Sequence, residues 1–300
     1  MGERTANLTI VTYNRLECTR ICIDSLRRLA GFPHKIVVVD NASTDGTREY
    51  LQGLLAEGVI HRLALLDENM GVSPAFNLGW ELCPADYYMK VDNDVEFHRP
   101  GWLAALVGYA AAHPEIAMLG FGCNSSGLRF APVADAVLHY QGHVGGCVLI
   151  RRDVLEKLGW WNEDYGLYGE EDSDFGLRAR LAGYVNLTLC DPDRPFISYT
   201  EGLDPRFAQY SDWKRAERKG NLHFRFQFND ILFKFGLRPL YVGRKYLAQV
   251  EGERVRFRPN GEYLREQAEL ERKCLPLLDA LRNSEELRKI NEEFGLNFWF

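Results

Sequence analysis

Over the first two-thirds of the chain, apolar and polar positions alternate between two periods. Leu8–Tyr13 reads as a buried strand. Leu16, Ile21, Ser25, Leu26 and Leu29 then recur at helical spacing, until Gly31-Phe32-Pro33 stops them. Lys35–Asp40 predicts a second strand with Ile36-Val37-Val38-Val39 inside it, the pattern of a parallel strand covered on both faces. Thr44-Asp45-Gly46-Thr47 opens a helix to about Ala56, and Val59–Leu66 predicts a third strand. Ser73-Pro74 supplies an N-cap and a first-turn proline for a helix to about Leu82, before a fourth strand at Asp86–Val91. A helix from Pro100 to His113-Pro114 follows, with strands at Ile116–Phe121, Cys147–Ile150 and Val185–Leu189 and helices at Asp153–Leu158 and Asp172–Ala182. This alternation predicts an α/β fold with right-handed crossovers and a mostly parallel sheet, binding its ligand beyond the carboxyl ends of the strands. After about Phe196 the pattern turns helical, at Lys214–Phe235, Glu262–Arg282 and Ser284–Glu293. Residues 1–200 are therefore expected to form the αβ domain and residues 201–300 a helical extension.

The strand ends collect polar side chains. The first strand ends in Thr12-Tyr13-Asn14-Arg15, the second in Asp40-Asn41-Ala42-Ser43-Thr44-Asp45-Gly46-Thr47, the third in Glu68-Asn69-Met70-Gly71 and the fourth in Asp92-Asn93-Asp94. Ser43, Thr44 or Asp45 can be helix caps and no more. Asp92-Asn93-Asp94 carries more chemistry, because two carboxylates at a strand end can hold a hard divalent cation that bridges to a diphosphate. D-x-D arises about once by chance in a chain this long, and Asp172-Ser173-Asp174 and Asp191-Pro192-Asp193 repeat it. Only the first follows an apolar strand inside the alternating region. Asp191-Pro192-Asp193 reads as a turn. A second acidic cluster, Gly169-Glu170-Glu171-Asp172-Ser173-Asp174, lies between an aromatic loop (Trp160, Trp161, Tyr165, Tyr168) and a helix carrying Arg178 and Arg180. Helix-dipole capping accounts for some of these acids. One of them could serve as general base toward a hydroxyl, with the aromatics stacking on a sugar.

Composition changes this picture little. A chain of 300 residues, 46% hydrophobic and 26% charged, can bury its own core. Its seven scattered cysteines form no C-x-x-C pair and suggest a reducing, cytoplasmic compartment. Cys18 and Cys22 share a helical face that reads as core. No basic-then-apolar leader follows Met1, and the apolar run Trp102–Ala112 is too short to cross a bilayer. The net charge of -6 conceals a segment, 206–258, with thirteen Lys and Arg against five Asp and Glu. Such a segment can face a lipid phosphate, an acidic glycan or a nucleic acid, or be a solvated helix surface. No nucleic-acid motif accompanies it.

Taken in order, these motifs resemble inverting glycosyltransferases of family 2. The matching pieces are Thr12–Arg15, Val38–Thr47, Asn69-Met70-Gly71 with Asn77-Leu78-Gly79, Asp92-Asn93-Asp94, Gly145–Arg152 and Tyr168–Phe175. The likeness covers roughly residues 7–190, and within the family it is strongest to the rhamnosyltransferase-like branch of surface-glycan synthesis. It implies a GT-A fold (a Rossmann-like αβα sandwich), a divalent cation (Mn2+ or Mg2+) and a nucleotide-diphosphate sugar, uridine or thymidine being the expected base. Carried onto this chain, it implies that Asp40 and Thr12, with Tyr13, Asn14 and Arg15, contact the nucleotide. Asn69, Gly71, Asn77 and Asn93 fall on the same donor side. Asp92 and Asp94 serve the ribose and the metal, Asp94 more directly. Asp172 is the implied base and Glu171 the second candidate, since the extra Glu170 blurs the register. The branch's His-x-x-Gly is replaced by Tyr199-Thr200-Glu201-Gly202. His223 is a candidate further metal ligand, its alternative being a packed side chain. The stripe Phe224, Phe228, Ile231 and Phe235 fits core packing or contact with a membrane surface on the cytoplasmic side. The acceptor is open among a glycan, a lipid-linked glycan, a protein and a nucleic acid. Two rival functions are a sugar nucleotidyltransferase, whose glycine-rich phosphate loop is missing after the first strand, and a non-catalytic nucleotide-sugar-binding scaffold.

Overall fold

A computed structural model of the chain describes residues 4–122, 129–133, 136–191, 193–204, 209, 212 and 223–294. The alternation is realised as β1 (Ala6–Thr12), α1 (Leu16–Leu29), β2 (His34–Asp40), α2 (Thr47–Ala56), β3 (Arg62–Leu66), α3 (Val72–Leu82) and β4 (Tyr87–Asp92). There follow β5 (Val95–Phe97), α4 (Trp102–Ala112), β6 (Ile116–Phe121), β7 (Arg129–Val133), β8 (Ala136–Gln141), β9 (Cys147–Arg151), α5 (Arg152–Leu158), α6 (Glu171–Leu181), β10 (Val185–Cys190) and β11 (Ile197–Tyr199). The last elements are α7 (His223–Lys234), β12 (Tyr246–Glu251), β13 (Arg254–Pro259), α8 (Gly261–Arg282) and α9 (Glu285–Phe294).

The main sheet runs β12-β13-β3-β2-β1-β4-β9-β6-β10-β8-β7. β3, β2, β1 and β4 are parallel, and β9 enters antiparallel between β4 and β6. Side chains alternate between the two faces, as a covered strand requires. Ile36 and Val38 pack with α1 and α4 residues such as Cys22, Ile23, Leu26 and Trp102, while Val39 packs with Ala75 and Leu78 of α3. Cys18 and Cys22 are buried free thiols on the core side of α1. Each fully buried aliphatic contributes about 1.5–3 kcal/mol. No helix among the described residues is long and apolar enough to cross a membrane.

Register aligns the chemistry. Thr12 lies opposite Asp40, and Val11 opposite Asp92. The chain order turns around at β1, with β2 on one side and β4 on the other, so these exits open into one crevice.

The extension differs from the all-helical expectation. Tyr246–Glu251 and Arg254–Pro259 form a hairpin whose second strand pairs parallel with β3 through Arg254↔Leu65 and Val255↔Leu66. The expected helix over Lys214–Phe235 is described from His223 onward, and 213–222 lie outside the described residues. Phe228 and Ile231 of its stripe pack against Leu270 and Cys274 of α8, Phe235 is exposed, and the Phe224 side chain lies outside the described residues. Three of the segment's thirteen cations are paired with carboxylates of the αβ domain. Arg244 pairs with Glu81 and Glu163, and Arg238 and Lys245 pair with Asp164. Arg206, Lys214, Arg215, Arg218 and Lys219 lie outside the described residues.

These ion pairs tie residues 229–263 to the loop between α5 and α6. Glu163 accepts from Arg244 Nε at 2.7 Å and from the amides of Lys245 and Tyr246 at 2.8 and 2.9 Å. Asp164 accepts from Tyr263 Oη at 3.0 Å, and the Tyr165 hydroxyl donates to Asp174 at 2.7 Å while accepting from Asn229. Arg178 pairs with Asp174 with both side chains fully buried, and it donates to the carbonyls of Leu158, Trp160 and Leu240. The extension thus holds the loop that leads into the acidic end of α6.

Candidate functional site

A cavity of about 970 Å³ opens at the exits of β1, β2 and β4, at the upper end of the size range of small-molecule sites. Tyr13, Asn14, Arg15, Asn69, Asp92, Asn93, Asp94, Glu171 and Asp172 line it. Four non-glycine residues among those described have positive φ, namely Asn14, Arg15, Ala42 and Glu170, and all stand at the strand-end loops or the head of α6. Backbone strain of this kind is characteristic of functional loops.

The loops after β1 and β2 are laced together. The Asn14 amide donates to Ser43 Oγ at 2.7 Å, and Asn14 Oδ1 accepts from the Thr44 amide at 2.8 Å. Thr12 is fully buried, and its hydroxyl accepts from Asn93 Nδ2 at 3.2 Å. Asn93 also donates to Thr19. Asn93 is therefore an anchor for the turn that carries Asp92 and Asp94. Asp40, expected to contact the nucleotide, is fully buried and does not line the cavity; its Oδ1 accepts from the Ser43 amide and from Arg48 Nε. Its Oδ2 has no hydrogen-bond partner among the described residues.

The two carboxylates after β4 each have a cationic neighbour. Asp92 Oδ1 is 2.8 Å from Lys90 Nζ, and Asp94 Oδ2 is 2.8 Å from Arg15 Nη1, which also reaches Asp204 through Nε. Among the described residues no group of three His, Cys, Asp or Glu side chains converges. Magnesium-like ions commonly take one or two carboxylates and complete their shell with substrate phosphates. Asp92 and Asp94 fit that donor set, and an ion there would share Asp94 with Arg15. His223 begins α7, and its side chain lies outside the described residues.

The four acids at the head of α6 separate into different roles. Glu170 occupies the left-handed residue before the helix, at φ 65°. Asp174 is consumed by Arg178, Tyr165 and Asn162. Glu171 and Asp172 face the cavity. Asp172 Oδ2 lies 3.9 Å from His143 Nε2, and a Cβ on Gly145 would come within 2.8 Å of it. Glycine at 145 therefore leaves room for the carboxylate. Glu171 accepts from the Gly169 amide at 2.9 Å. Burial and the adjacent Asp172 push its carboxyl up to about 7, with Lys90 acting in the opposite sense. Burial alone would favour neutral Lys90, but Asp92, then Glu171 and Asp172, hold its ammonium above the ordinary lysine range.

Several expected donor residues are structural. Asn77 is fully buried outside the cavity. It donates to the Trp161 carbonyl and Glu163, and it accepts from the Trp161 amide. Asn77→Ala is expected to cost about 1–3 kcal/mol in urea denaturation by orphaning these groups, with nucleotide binding retained. Unchanged stability would contradict this role. Gly71, at φ +92°, packs against the backbone of Gly166 and Leu167, where a Cβ would clash. The aromatic loop is also reassigned. Trp161 and Tyr165 are core, Trp160 lies under Arg244, and only Tyr168 lines the cavity. In place of the missing histidine motif, Tyr199 lines the cavity and Thr200 donates to the Asp94 carbonyl. Asp191 Oδ1 accepts the amides of Asp193 and Arg194, forming the expected turn.

Lys90 and His143 were not among the sequence candidates. Lys90 had a signal: a lone cation in the apolar strand Tyr87–Asp92, two residues from Asp92 and so on the same strand face. His143 had none, because only the β9 crossing brings it to Asp172.

The model of Glycosyl transferase family 2 matches residues 8–159, half of the chain. The O-antigen biosynthesis protein RfbC of Myxococcus xanthus is 25% identical over 215 residues, 61% of this chain and 16% of that much longer protein. A PGL/p-HBAD biosynthesis glycosyltransferase of Mycobacterium tuberculosis is 24% identical over 184 residues, 59% of this chain and 70% of the relative. The solved mannosyltransferase PcManGT of Pyrobaculum calidifontis, in complex with GDP-Man and Mn2+, aligns with 78% of this chain and 74% of its own. Its TM-score is 0.51 at 19% identity, which is a likeness of fold. With the matched model and this mixed, mostly parallel α/β sheet, the chain belongs to glycosyltransferase family 2 and has the GT-A fold.

Proposed function

We propose that the chain moves a glycosyl group from a nucleoside diphosphate sugar, of uridine or thymidine, to an acceptor hydroxyl with inversion, in the synthesis of a surface glycan or other glycoconjugate. The observation that carries this reading is one cavity holding Asp92 and Asp94 at the β4 exit together with Asp172 at the head of α6. Family membership and the names of the two relatives support it.

Tyr13, Asn14, Arg15 and Asn69 form the nucleotide side. Asp40, fully buried and outside the cavity lining, supports that side through the Ser43 amide and Arg48. Asp92 and Asp94 would hold a divalent cation, Mn2+ or Mg2+, which would supply Lewis-acid stabilisation of the charge on the leaving diphosphate. Arg15, sharing Asp94, sits where it can turn toward the diphosphate. Asp172 accepts the proton of the acceptor hydroxyl while that oxygen attacks the anomeric carbon opposite the leaving group. One displacement inverts the configuration. Glu171 stands beside the base as a buried partner.

Calorimetry with a panel of nucleotide sugars and Mn2+ or Mg2+ tests this. One donor is expected to bind only with metal, and Asp94→Asn to weaken it by about tenfold or more. Metal-independent binding, equal in the variant, contradicts the assignment.

A further inference from the structure

Two consecutive glycines bring a second side chain up to the carboxylate of Asp172. A Cβ on Gly145 would come within 2.8 Å of Asp172 Oδ2, and a Cβ on Gly146 within 2.5 Å of the Tyr199 hydroxyl oxygen and 3.3 Å of its Cζ. Neighbouring Cα atoms are about 3.8 Å apart. Asp172 and the phenol of Tyr199 therefore rest side by side on one strip of bare backbone. That strip is anchored, because the Gly146 carbonyl accepts from the Asp92 amide at 2.8 Å. Tyr199 is anchored from the other side. β11 pairs antiparallel with β5 through Tyr199↔Val95, the residue after Asp94, and the Thr200 amide donates to the Asp94 carbonyl at 2.7 Å. The tyrosine thus links the β4 exit to the base proposed on α6.

The chemistry around Tyr199 is that of an uncharged ligand. Its ring is 46% exposed and lines the cavity. The other cavity walls supplied by β6, β8 and β10 are Phe121, Gln141 and Thr188, and none carries a charge. The Gln141 amide donates to the Thr188 hydroxyl at 3.0 Å. An anionic ligand calls for arginine or lysine. Each basic side chain that lines the cavity among the described residues already faces a carboxylate: Lys90 at Asp92, Arg15 at Asp94 and Asp204, and His143 at Asp172. An open aromatic face beside neutral hydrogen-bonding groups suits a ring with C–H bonds on its face and hydroxyls at its edge. On the transferase reading above, we propose that Tyr199 is a specificity-determining residue for the acceptor. Its ring is the platform on which an uncharged pyranose stacks, with Gln141 and Thr188 at the sugar's edge and one hydroxyl delivered to Asp172.

The test is saturation-transfer NMR of the full chain with methyl pyranosides of glucose, galactose, N-acetylglucosamine, mannose and rhamnose. Farnesyl phosphate, a serine-containing peptide and a single-stranded oligonucleotide are run beside them. At least one pyranoside is expected to bind, with its C–H protons saturated most strongly. Tyr199→Ala is expected to weaken that binding by about tenfold. Tyr199→Phe, which keeps the ring, should lose clearly less. The loss should fall on the pyranoside and not on the nucleotide sugar measured by calorimetry, a split that a general structural defect would not produce. Three results overturn the proposal: no pyranoside binds, binding is equal in Tyr199→Ala, or the phosphate, peptide or oligonucleotide binds in place of every pyranoside. If a pyranoside binds through Tyr199 while the wild type consumes no nucleotide sugar, the platform stands and the transferase reading falls. If a nucleotide sugar is consumed and no pyranoside binds, the platform falls and the transferase reading stands.

Discussion

Asp172→Asn is expected to lower the turnover number for glycosyl transfer by about 10²–10⁴-fold, the usual worth of a positioned general base. Donor affinity should stay near that of the wild type. The split follows from the geometry. Asp172 lies against Gly145 and His143, which the proposal makes the acceptor side, while the proposed nucleotide side is built from the exits of β1, β2 and β4. Asparagine preserves shape and the hydrogen bond from the Ser173 amide, which reaches Oδ1 at 2.8 Å, but it cannot accept the acceptor's proton. Glu171→Gln is the informative companion. Glu171 is 4% exposed and held by the Gly169 amide, so its loss should cost less activity than that of Asp172. Steady-state kinetics on both variants, with donor binding measured separately, check the assignment. The reverse ranking would make Glu171 the base.

The second large effect concerns stability. Glu163→Ala should cost about 3–5 kcal/mol, the range for breaking a buried ion pair from one side. Glu163 is 2% exposed and receives Arg244 Nε, Asn77 Nδ2 and the amides of Lys245 and Tyr246. The variant leaves a buried guanidinium and orphans these donors together. Glu81→Ala removes the other partner of Arg244, but that carboxylate side chain is 54% exposed, so about 0–1 kcal/mol is expected. Urea unfolding of the two variants measures the contrast. Equal losses would mean that the extension does not clamp the loop before α6. A clamp of this kind also explains how residues 229–263 bear on a site built mostly from the first 200 residues, to which Glu201, Asp204 and Gln209 also contribute.

Much of this was readable beforehand where period and position coincide. The strand at Ile36–Val39 announces two covered faces, and the carboxyl-end rule locates Asn14, Arg15, Asp92 and Asp94 at one crevice. The parts that were not readable share a cause. Asn77 enters the candidates through the family resemblance, and only the fold reveals that Trp161 and Glu163 satisfy it. Trp161 and Tyr165 look like a sugar platform until packing takes them into the core. The β12–β13 hairpin alternated visibly in Arg254-Val255-Arg256-Phe257-Arg258, but a dense charge pattern between helical stretches masked it. The basic character of that region admitted an anionic partner or a solvated surface, and three of its thirteen cations, Arg238, Arg244 and Lys245, are paired with Asp164, Glu81 and Glu163. Charge counted along a sequence does not say which charges face water.

The central claim is that this cavity consumes a nucleotide sugar. Phosphorus NMR of the full chain incubated with each of a panel of nucleoside diphosphate sugars and Mn2+ tests it most directly. The account predicts that one donor releases its nucleoside diphosphate in a metal-dependent reaction that Asp94→Asn abolishes. Every donor remaining intact and unbound, with either Mn2+ or Mg2+, would contradict it.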